Sequence, residues 1–325
     1  MSGGTVVEVA NLTKNFSVKA TKGTRSVKRT VQAVTDVSFS IQAGETLGLV
    51  GESGSGKTTA GRCVLRLIEP TSGSVKFDGQ EIVGMKRDEL RKLRRSMQIV
   101  FQDPQASLDP RLTVGTAIAE PLRIQKIEGN HDDRVAELLE LVGLSPDHAR
   151  RFPHEFSGGQ RQRIGIARAL ALNPTFIVLD EPVSALDVSI QAQVLNLLMD
   201  LQDETRVAYV FISHNLAVVE LIADEVLVMY LGKVVEQAPK PALFSAPRHP
   251  YTRALLASTP RIDAGARKAR QVLSGELPSP LNPPSGCAFH KRCPFAVARC
   301  GAEVPVLEDL GEGQRVACHR VHEIA

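Results

Sequence analysis

Apolar and polar residues follow two distinct patterns in the first fifty residues. They alternate along Val31–Ile41, as in a half-buried strand, whereas Thr46–Val50 is apolar apart from its first residue and a glycine and ends at Gly51, as in a buried parallel strand. A shorter strand is predicted over Val6–Asn11. The pattern then predicts a helix that begins near Lys57.

Later in the chain the spacing of apolar residues changes from one typical of strands to one typical of helices, and then alternates between the two. Between Leu108 and Phe156 apolar residues recur at helical spacing, for example Val135, Leu138 and Val142, which predicts a helical subdomain. After residue 175, apolar strand-like runs alternate with helix-like segments. The runs are 176–179, 207–212 and 226–229, and the helices between them are 189–202 and 216–222. This alternation predicts a doubly wound α/β fold with a parallel sheet.

Composition excludes several classes of protein. The 325 residues are 43% hydrophobic and have a formal net charge of +3, which is typical of a globular protein and not of a disordered or fibrous one. No apolar run is long enough for a membrane span, and the first residues do not resemble a secretory signal, so a cytoplasmic location is expected. The small net charge and the 4% aromatic content do not favour a nucleic-acid partner.

A glycine-rich segment predicts a phosphate-binding loop. Gly51–Thr58 has the pattern G-x-x-x-x-G-K-[ST] between an apolar strand and a helix start. In such a loop the backbone N–H groups surround a phosphate, Lys57 reaches the β and γ oxygens, and the Thr58 hydroxyl is a ligand of Mg²⁺. The alternative is a chance glycine-rich turn. The candidate nucleotide-binding residues here are Ser53, Gly54, Ser55, Gly56, Lys57, Thr58 and Thr59.

Two adjacent acids follow the strand at 176–179. Asp180 suits the Mg²⁺ shell, and Glu181 suits activation of an attacking water, because the carboxyl ends of parallel strands meet at one sheet edge. The alternative is that both acids only cap the next helix. With the phosphate loop present, the pair favours nucleotide hydrolysis.

Four further motifs lie at Gln102, Ser157-Gly158-Gly159-Gln160, Ser184-Ala185-Leu186-Asp187 and His214. With them the chain resembles an ABC-type ATPase subunit, in which they match, in that order, the Q-loop, the signature motif, the D-loop and the switch histidine. The resemblance implies that Glu181 and His214 are catalytic, that Gln102 joins Thr58 and Asp180 at Mg²⁺, and that Phe16 stacks on adenine. It also implies that the signature residues bind the ATP of a partner chain.

The C-terminal segment narrows this resemblance. His249-Pro250-Tyr251-Thr252 and Gly286-Cys287-Ala288-Phe289 resemble the extension of peptide-importer ATPases, most closely the F-type subunits of dipeptide permeases, with oligopeptide relatives second. The implied fold is a P-loop ABC ATPase with a RecA-like parallel-sheet core, an antiparallel β subdomain and an α-helical subdomain. The expected domains are an ATPase at 1–240, with its helical part at about 103–165, and a cysteine-containing extension at 241–325.

The same resemblance implies partners and a location. An ATP-binding subunit of this kind couples hydrolysis to peptide uptake at the cytoplasmic face of the bacterial inner membrane. It pairs with a homologous D-type ATPase and with two permease subunits, and an extracytoplasmic peptide-binding protein acts on the complex. The alternative is a soluble ABC ATPase that acts on nucleic acid or ribosomes without a permease.

Four cysteines cluster near the end of the chain. Cys287, Cys293, Cys300 and Cys318 have the spacing C-x5-C-x6-C-x17-C, which differs from the paired spacing of most zinc ribbons. Four thiolates suit either Zn²⁺ or a [4Fe–4S] cluster, and the thiols could also be unliganded or joined in disulfides. The family resemblance implies an iron–sulfur cluster, which some members contain. His290 and His319 are possible substitute ligands.

Overall fold

In the computed structural model of the chain, residues 4–22, 25–103, 107–258 and 278–324 are described. They divide into two compact units. The first unit is Met1–Val7, Ile41–Thr46 and Phe77–Ile212, and the second is Glu8–Ser40, Leu47–Lys76 and Ser213–Ala325. Across the described ranges, no helix has the length and apolar character needed to cross a membrane.

The strands are β1 (Thr5–Lys22), β2 (Arg25–Gln42), β3 (Thr46–Val50), β4 (Ser72–Phe77), β5 (Gln80–Glu81), β6 (Met97–Val100), β7 (Phe176–Asp180), β8 (Ala208–Ser213), β9 (Glu225–Tyr230), β10 (Lys233–Pro239), β11 (Glu308–Asp309) and β12 (Arg315–Val316). The helices are α1 (Lys57–Val64), α2 (Arg87–Leu93), α3 (Val114–Ile124), α4 (His131–Leu141), α5 (Gly158–Leu170), α6 (Val188–Thr205), α7 (Leu216–Ile222), α8 (Lys240–Ser245), α9 (Pro250–Ser258) and α10 (Ala298–Ala302). Short 3₁₀ turns span Pro146–Arg150, Pro153–Glu155 and His290–Arg292.

Parallel strands form the sheet of the first unit. β7 lies between β6 and β8, with Leu179 opposite Val100 on one side and Phe211 on the other. Every residue of β7 and β8 is buried, as expected for parallel strands covered on both faces. The predicted strands and their parallel pairing are confirmed in this unit.

Three helices of the first unit pack against one another. α3, α4 and α5 bury their apolar faces together, including Val135, Leu138 and Leu139 of α4. Two of these helices have side-chain N-caps. Thr113 Oγ1 accepts a hydrogen bond from Thr116 N at the start of α3, and Asn130 Oδ1 accepts one from Asp132 N at the start of α4. The helical character predicted between residues 108 and 156 is therefore confirmed.

The second unit contains both parallel and antiparallel pairs. β3 runs parallel to β9, whereas β9 and β10 are antiparallel, and β12 pairs antiparallel with β10 on one side and β11 on the other. β2, β1 and β4 lie side by side in another sheet. Strands from the last twenty residues thus extend the sheet that includes β3, and the chain is an α/β protein with mixed sheets.

The first two strands are longer than the alternation pattern predicts. β1 begins one residue earlier and ends eleven residues later than the predicted 6–11, and β2 begins at Arg25 instead of 31. The added residues include many polar ones. Backbone pairing between neighbouring strands supplies their hydrogen bonds without requiring apolar alternation, so the sequence pattern underestimates their length.

Candidate functional site

The phosphate loop connects β3 to α1, and two of its glycines have no room for a side chain. Gly51 has φ of 151°, and a Cβ there would lie 2.2 Å from Met229 O. Gly56 has φ of 103°, and its Cβ would lie 2.2 Å from Ala33 O. Both neighbours are backbone atoms that cannot rotate away. The loop path therefore requires glycine at both positions, as the sequence motif predicts.

Lys57 is the first residue of α1, and its ammonium lies over the loop. Nζ donates hydrogen bonds to Gly51 O at 2.7 Å and Glu52 O at 2.9 Å, and it lies 3.4 Å from Ser55 Oγ. Its side chain is buried, as is Ser55, while Ser53 and Gly54 are exposed. α1 has no acidic residue in its first turn. A cation above exposed loop backbone at a helix N-terminus is suited to bind phosphate.

The other residues of this unit that were predicted to bind nucleotide or to act in catalysis lie in α1, in β1 and after β8. Thr58 and Thr59 are half-buried in the first turn of α1. Phe16 is half-buried in β1, with Lys14 Nζ 5.0 Å from its ring centroid. His214 is exposed and directly follows β8, next to Asn215, whose side chain caps α7 by accepting from Ala217 N at 3.0 Å.

In the first unit the structure brings Gln102 and Glu181 together. Gln102 Nε2 donates to Glu181 Oε2 at 3.0 Å. Asp180, the last residue of β7, is buried, and Glu181 then adopts the left-handed region with φ of 48°. The Glu181 N–H donates to Ile212 O at 3.0 Å, which fixes this unusual backbone. The carboxylate is thereby held beyond the strand end and against the Q-loop amide.

The signature residues form the start of α5. Ser157 Oγ accepts from Gln160 N at 3.3 Å while Gln160 Oε1 accepts from Ser157 N at 3.0 Å, a reciprocal capping box. Gly159 is buried against α6, where a Cβ would lie 2.4 Å from Ile190 Cγ2. Gly159 thus lets the helix start approach α6 closely. Ser157 itself is exposed.

The D-loop joins Glu181 to α6 beside the signature helix. Ser184 Oγ donates to Glu181 O at 3.1 Å, and a Cβ on Gly158 would be in ordinary contact with Leu186 Cδ2 at 3.6 Å. Asp187 occupies the N-cap position of α6, although its side chain makes no capping hydrogen bond. Ser184, Ala185 and Asp187 are exposed. One continuous segment therefore bonds to the acid at the strand end and lies next to Gly158 of the signature motif.

Sequence reasoning missed a contact between the phosphate loop and the C-terminal segment. Arg292 donates two hydrogen bonds to the Glu52 carboxylate, from Nη1 to Oε2 at 2.6 Å and from Nη2 to Oε1 at 3.0 Å. Tyr251 Oη accepts from Glu52 N at 2.8 Å. The sequence offers only a weak signal of this contact, because 240 residues separate Glu52 from Arg292. That signal is a basic turn beside Cys293 and a tyrosine in the His-Pro-Tyr-Thr motif.

Buried aromatic and polar groups support this contact. The rings of Tyr230, Tyr251 and Phe289 pack with centroids 4.7 to 5.4 Å apart. Burial raises the pKa of both tyrosines. Burial also lowers the pKa of His249 to about 3, with a smaller contribution from the positive charge of Arg253. His249 is therefore neutral, and its Nδ1 accepts from Tyr251 N at 3.1 Å.

The predicted iron–sulfur or zinc site is wrong. Cys287, Cys293, Cys300 and Cys318 do line one small cavity, but within the described ranges no three or more His, Cys, Asp or Glu residues are grouped to hold a metal ion. Burial raises the pKa of Cys287 to about 11. Each of the two proposed substitute ligands makes one backbone hydrogen bond through its ring, His290 Nδ1 with Cys287 O and His319 Nε2 with Glu303 O.

Comparison with protein families finds two matching regions. Residues 34–184 match the ABC transporter family, and residues 235–300 match the C-terminal region of oligopeptide/dipeptide transporters. A probable peptide ABC transporter ATP-binding protein of Sinorhizobium fredii is 55% identical over 97% of this chain and 89% of the relative. The chain belongs to the family of peptide ABC transporter ATP-binding proteins. The predicted family and ATPase class are confirmed.

Other members of this peptide ABC transporter family are similar along nearly their whole length. The di/tripeptide transport ATP-binding protein DppF of Pseudomonas aeruginosa is 53% identical over 98% of both chains, and the oligopeptide transport ATP-binding protein AppF of Bacillus subtilis is 52% identical over 97% of both. A solved ABC cassette, MJ0796 bound to ADP and phosphate as a dimer, is 30% identical with a TM-score of 0.62 over 72% of this chain and 98% of that one. The predicted ABC ATPase fold is confirmed.

Proposed function

We propose that this ABC ATPase drives uptake of dipeptides or short oligopeptides across the bacterial inner membrane, bound to permease subunits on its cytoplasmic face. The observation that supports this most is that one chain contains both an ABC transporter region and the oligopeptide/dipeptide transporter C-terminal region. In this proposal residues 1–240 are the ATPase domain, with a helical subdomain at about 103–165, and residues 241–325 are the extension.

The proposed complex contains a homologous D-type ATPase, two permease subunits and a peptide-binding protein that delivers substrate from outside. The exposed signature serine supports a partner ATPase. Ser157 lies at a helix start whose N–H groups are suited to phosphate, and its side chain is exposed. A second chain would then supply the signature motif to the Lys57 site.

The chain's own residues have distinct roles in this proposal. Lys57 and the loop N–H groups bind the ATP phosphates, and Phe16 stacks on the adenine. Thr58, Gln102 and Asp180 would hold Mg²⁺, which would supply positive charge to the phosphates. Glu181 accepts a proton from the attacking water, and His214 orients the terminal phosphate. The hydrogen bond from Gln102 to Glu181 supports a direct coupling between the Q-loop and the general base.

The alternative, an ABC ATPase that acts on nucleic acid or ribosomes, is not favoured. The match of residues 235–300 to a transporter region favours a permease partner. The net charge of +3 gives no strong electrostatic attraction for nucleic acid.

Glu181→Gln tests the proposal in the complex assembled with its permease in lipid vesicles. We expect ATP binding to persist while ATP turnover falls on the order of a hundredfold or more, because a general base is lost without a change in shape. Uptake of a labelled dipeptide should fall in parallel. Lys57→Ala is the control that loses binding itself. Normal turnover in Glu181→Gln would refute the role of Glu181, and turnover without any peptide uptake in the unmodified complex would refute the transport function.

A further inference from the structure

The phosphate loop contains a carboxylate where an anionic ligand is expected. Glu52 is the second residue of the motif, directly between Gly51 and the exposed Ser53. A negative charge so near bound phosphates opposes their binding unless a cation compensates it. The loop's own cation, Lys57, contacts the backbone oxygens of Gly51 and Glu52. The compensating charge for the Glu52 carboxylate comes instead from the C-terminal segment.

The Arg292 side chain is buried and oriented toward the Glu52 carboxylate. Its guanidinium makes a two-pronged ion pair with Glu52, and only 5% of its side chain is exposed, against 28% for Glu52. The ion pair raises the pKa of Arg292 still further above its usual value, so the charge is permanent. Bidentate pairs of this kind fix orientation as well as charge.

The turn that contains Arg292 is held by the buried rings. Arg292 N donates to Phe289 O at 2.9 Å, and Phe289 packs on both Tyr230 and Tyr251. Tyr251 in turn accepts from the Glu52 N–H. Both the backbone and the side chain of Glu52 are therefore bonded to residues beyond position 240.

We propose that Arg292 is a positioning residue for ATP binding, which neutralises and orients Glu52 so that the loop and Lys57 can accept phosphate. It acts through Glu52 and does not touch the nucleotide. This inference rests on the proposed role of the loop as the ATP site. The C-terminal extension is thereby a functional part of the nucleotide site in the same chain.

The decisive experiment measures the dissociation constant for ATP in the full-length chain by calorimetry, with Arg292→Ala, Glu52→Gln and the double variant. Arg292→Ala leaves the Glu52 carboxylate uncompensated, so we expect the dissociation constant to rise about tenfold through repulsion between this carboxylate and the phosphates. The double variant lacks the repelling charge as well, and its affinity should return to within about threefold of the unmodified chain.

A purely structural role for Arg292 predicts a different ranking of ATP affinities among these variants. If Arg292 only attached the extension, removing Glu52 as well would not restore affinity. Arg299→Ala is the matched control, because Arg299 forms an exposed ion pair with Glu303 at 2.8 Å in the same segment and should leave ATP affinity unchanged. Glu52→Gln keeps the side-chain shape and provides the test if Arg292→Ala fails to fold. It leaves the Arg292 charge uncompensated, so ATP binding should become tighter and more dependent on salt, and unchanged affinity and salt dependence would contradict the inference.

Two results would overturn the inference: unchanged ATP affinity in Arg292→Ala, or a double variant that binds ATP as weakly as Arg292→Ala. A further variant, Lys57→Ala, distinguishes refutation of the role of Arg292 from failure of the proposed ATP site. If Lys57→Ala also binds ATP normally, the loop is not the ATP site. If only Lys57→Ala loses ATP, the loop assignment stands and the role of Arg292 is refuted.

Discussion

Acid should destabilise the protein through His249. This histidine is fully enclosed beside Phe289, with ring centroids 5.8 Å apart, and its Nδ1 accepts from Tyr251 N. Protonating Nδ1 breaks that hydrogen bond and places a charge among apolar rings near Arg253. Burial accordingly lowers its pKa from 6.5 to about 3. The charged groups closest in the hydrogen-bond network are Arg253 and Glu236, whose carboxylate accepts from His249 N at 2.9 Å.

The direction of the pH effect follows from the lowered pKa. Between pH 6.5 and 3 the unfolded chain binds a proton at His249 that the folded chain does not. The contribution of His249 to the free energy of unfolding therefore rises with pH and is fully present above pH 6.5. From pH 7 to pH 5 the free energy of unfolding should fall by about 2 kcal/mol from this group alone. Glu236 contributes in the opposite direction, because burial raises its pKa.

Urea denaturation of the full chain at pH 7 and pH 5 measures this effect. In His249→Asn, Oδ1 replaces the acceptor Nδ1, so the variant should be less stable at pH 7 through lost packing but should lack the 2 kcal/mol acid penalty, to within about 0.5 kcal/mol. His322→Asn is the control, since His322 lies in the same segment with 70% of its side chain exposed and its replacement should preserve the acid penalty. Equal losses in the unmodified chain and in His249→Asn would refute the reasoning.

Two predictions concern the start of α5. Ser157→Ala removes the capping box and should cost about 1 kcal/mol of local stability, measured as faster amide exchange in the first turn of that helix; unchanged exchange would contradict the capping role. Gly159→Ala should destabilise the chain by about 1–3 kcal/mol in thermal unfolding, because its Cβ meets Ile190, and adding Ile190→Ala should recover part of that loss; additive losses in the pair would contradict the proposed clash.

Local motifs predict the position of the Gly51–Lys57 loop between a strand and a helix, and of Asp180 and Glu181 at a strand end, because each position depends on a few neighbouring residues. Gly51, Gly56 and Lys57 lie within seven positions, and the strand and helix on either side fix their geometry. The family motif indicated Gln102 as a nucleotide-site residue, but its hydrogen bond to Glu181 depends on the parallel pairing of β6 with β7. That pairing is a tertiary property, which spacing along the chain does not define.

The cysteine prediction failed for a physical reason. The four cysteines do line one cavity, but metal binding also needs donor atoms grouped in a suitable geometry. Among the residues that the structure describes, no three His, Cys, Asp or Glu side chains are grouped to hold an ion. Spacing along the chain contains no information on that geometry.

The phosphate loop is restrained in two independent ways, and this has a consequence for how its affinity can vary. Gly51 and Gly56 are fixed by backbone oxygens at Met229 and Ala33, so substitutions there change the loop path itself. The Glu52 N–H is held by Tyr251 and its carboxylate by Arg292, both in the C-terminal segment. Of these two contacts, the one with Arg292 involves only the Glu52 side chain. In the role proposed for Arg292, this ion pair would adjust phosphate affinity while the backbone contacts keep the loop path.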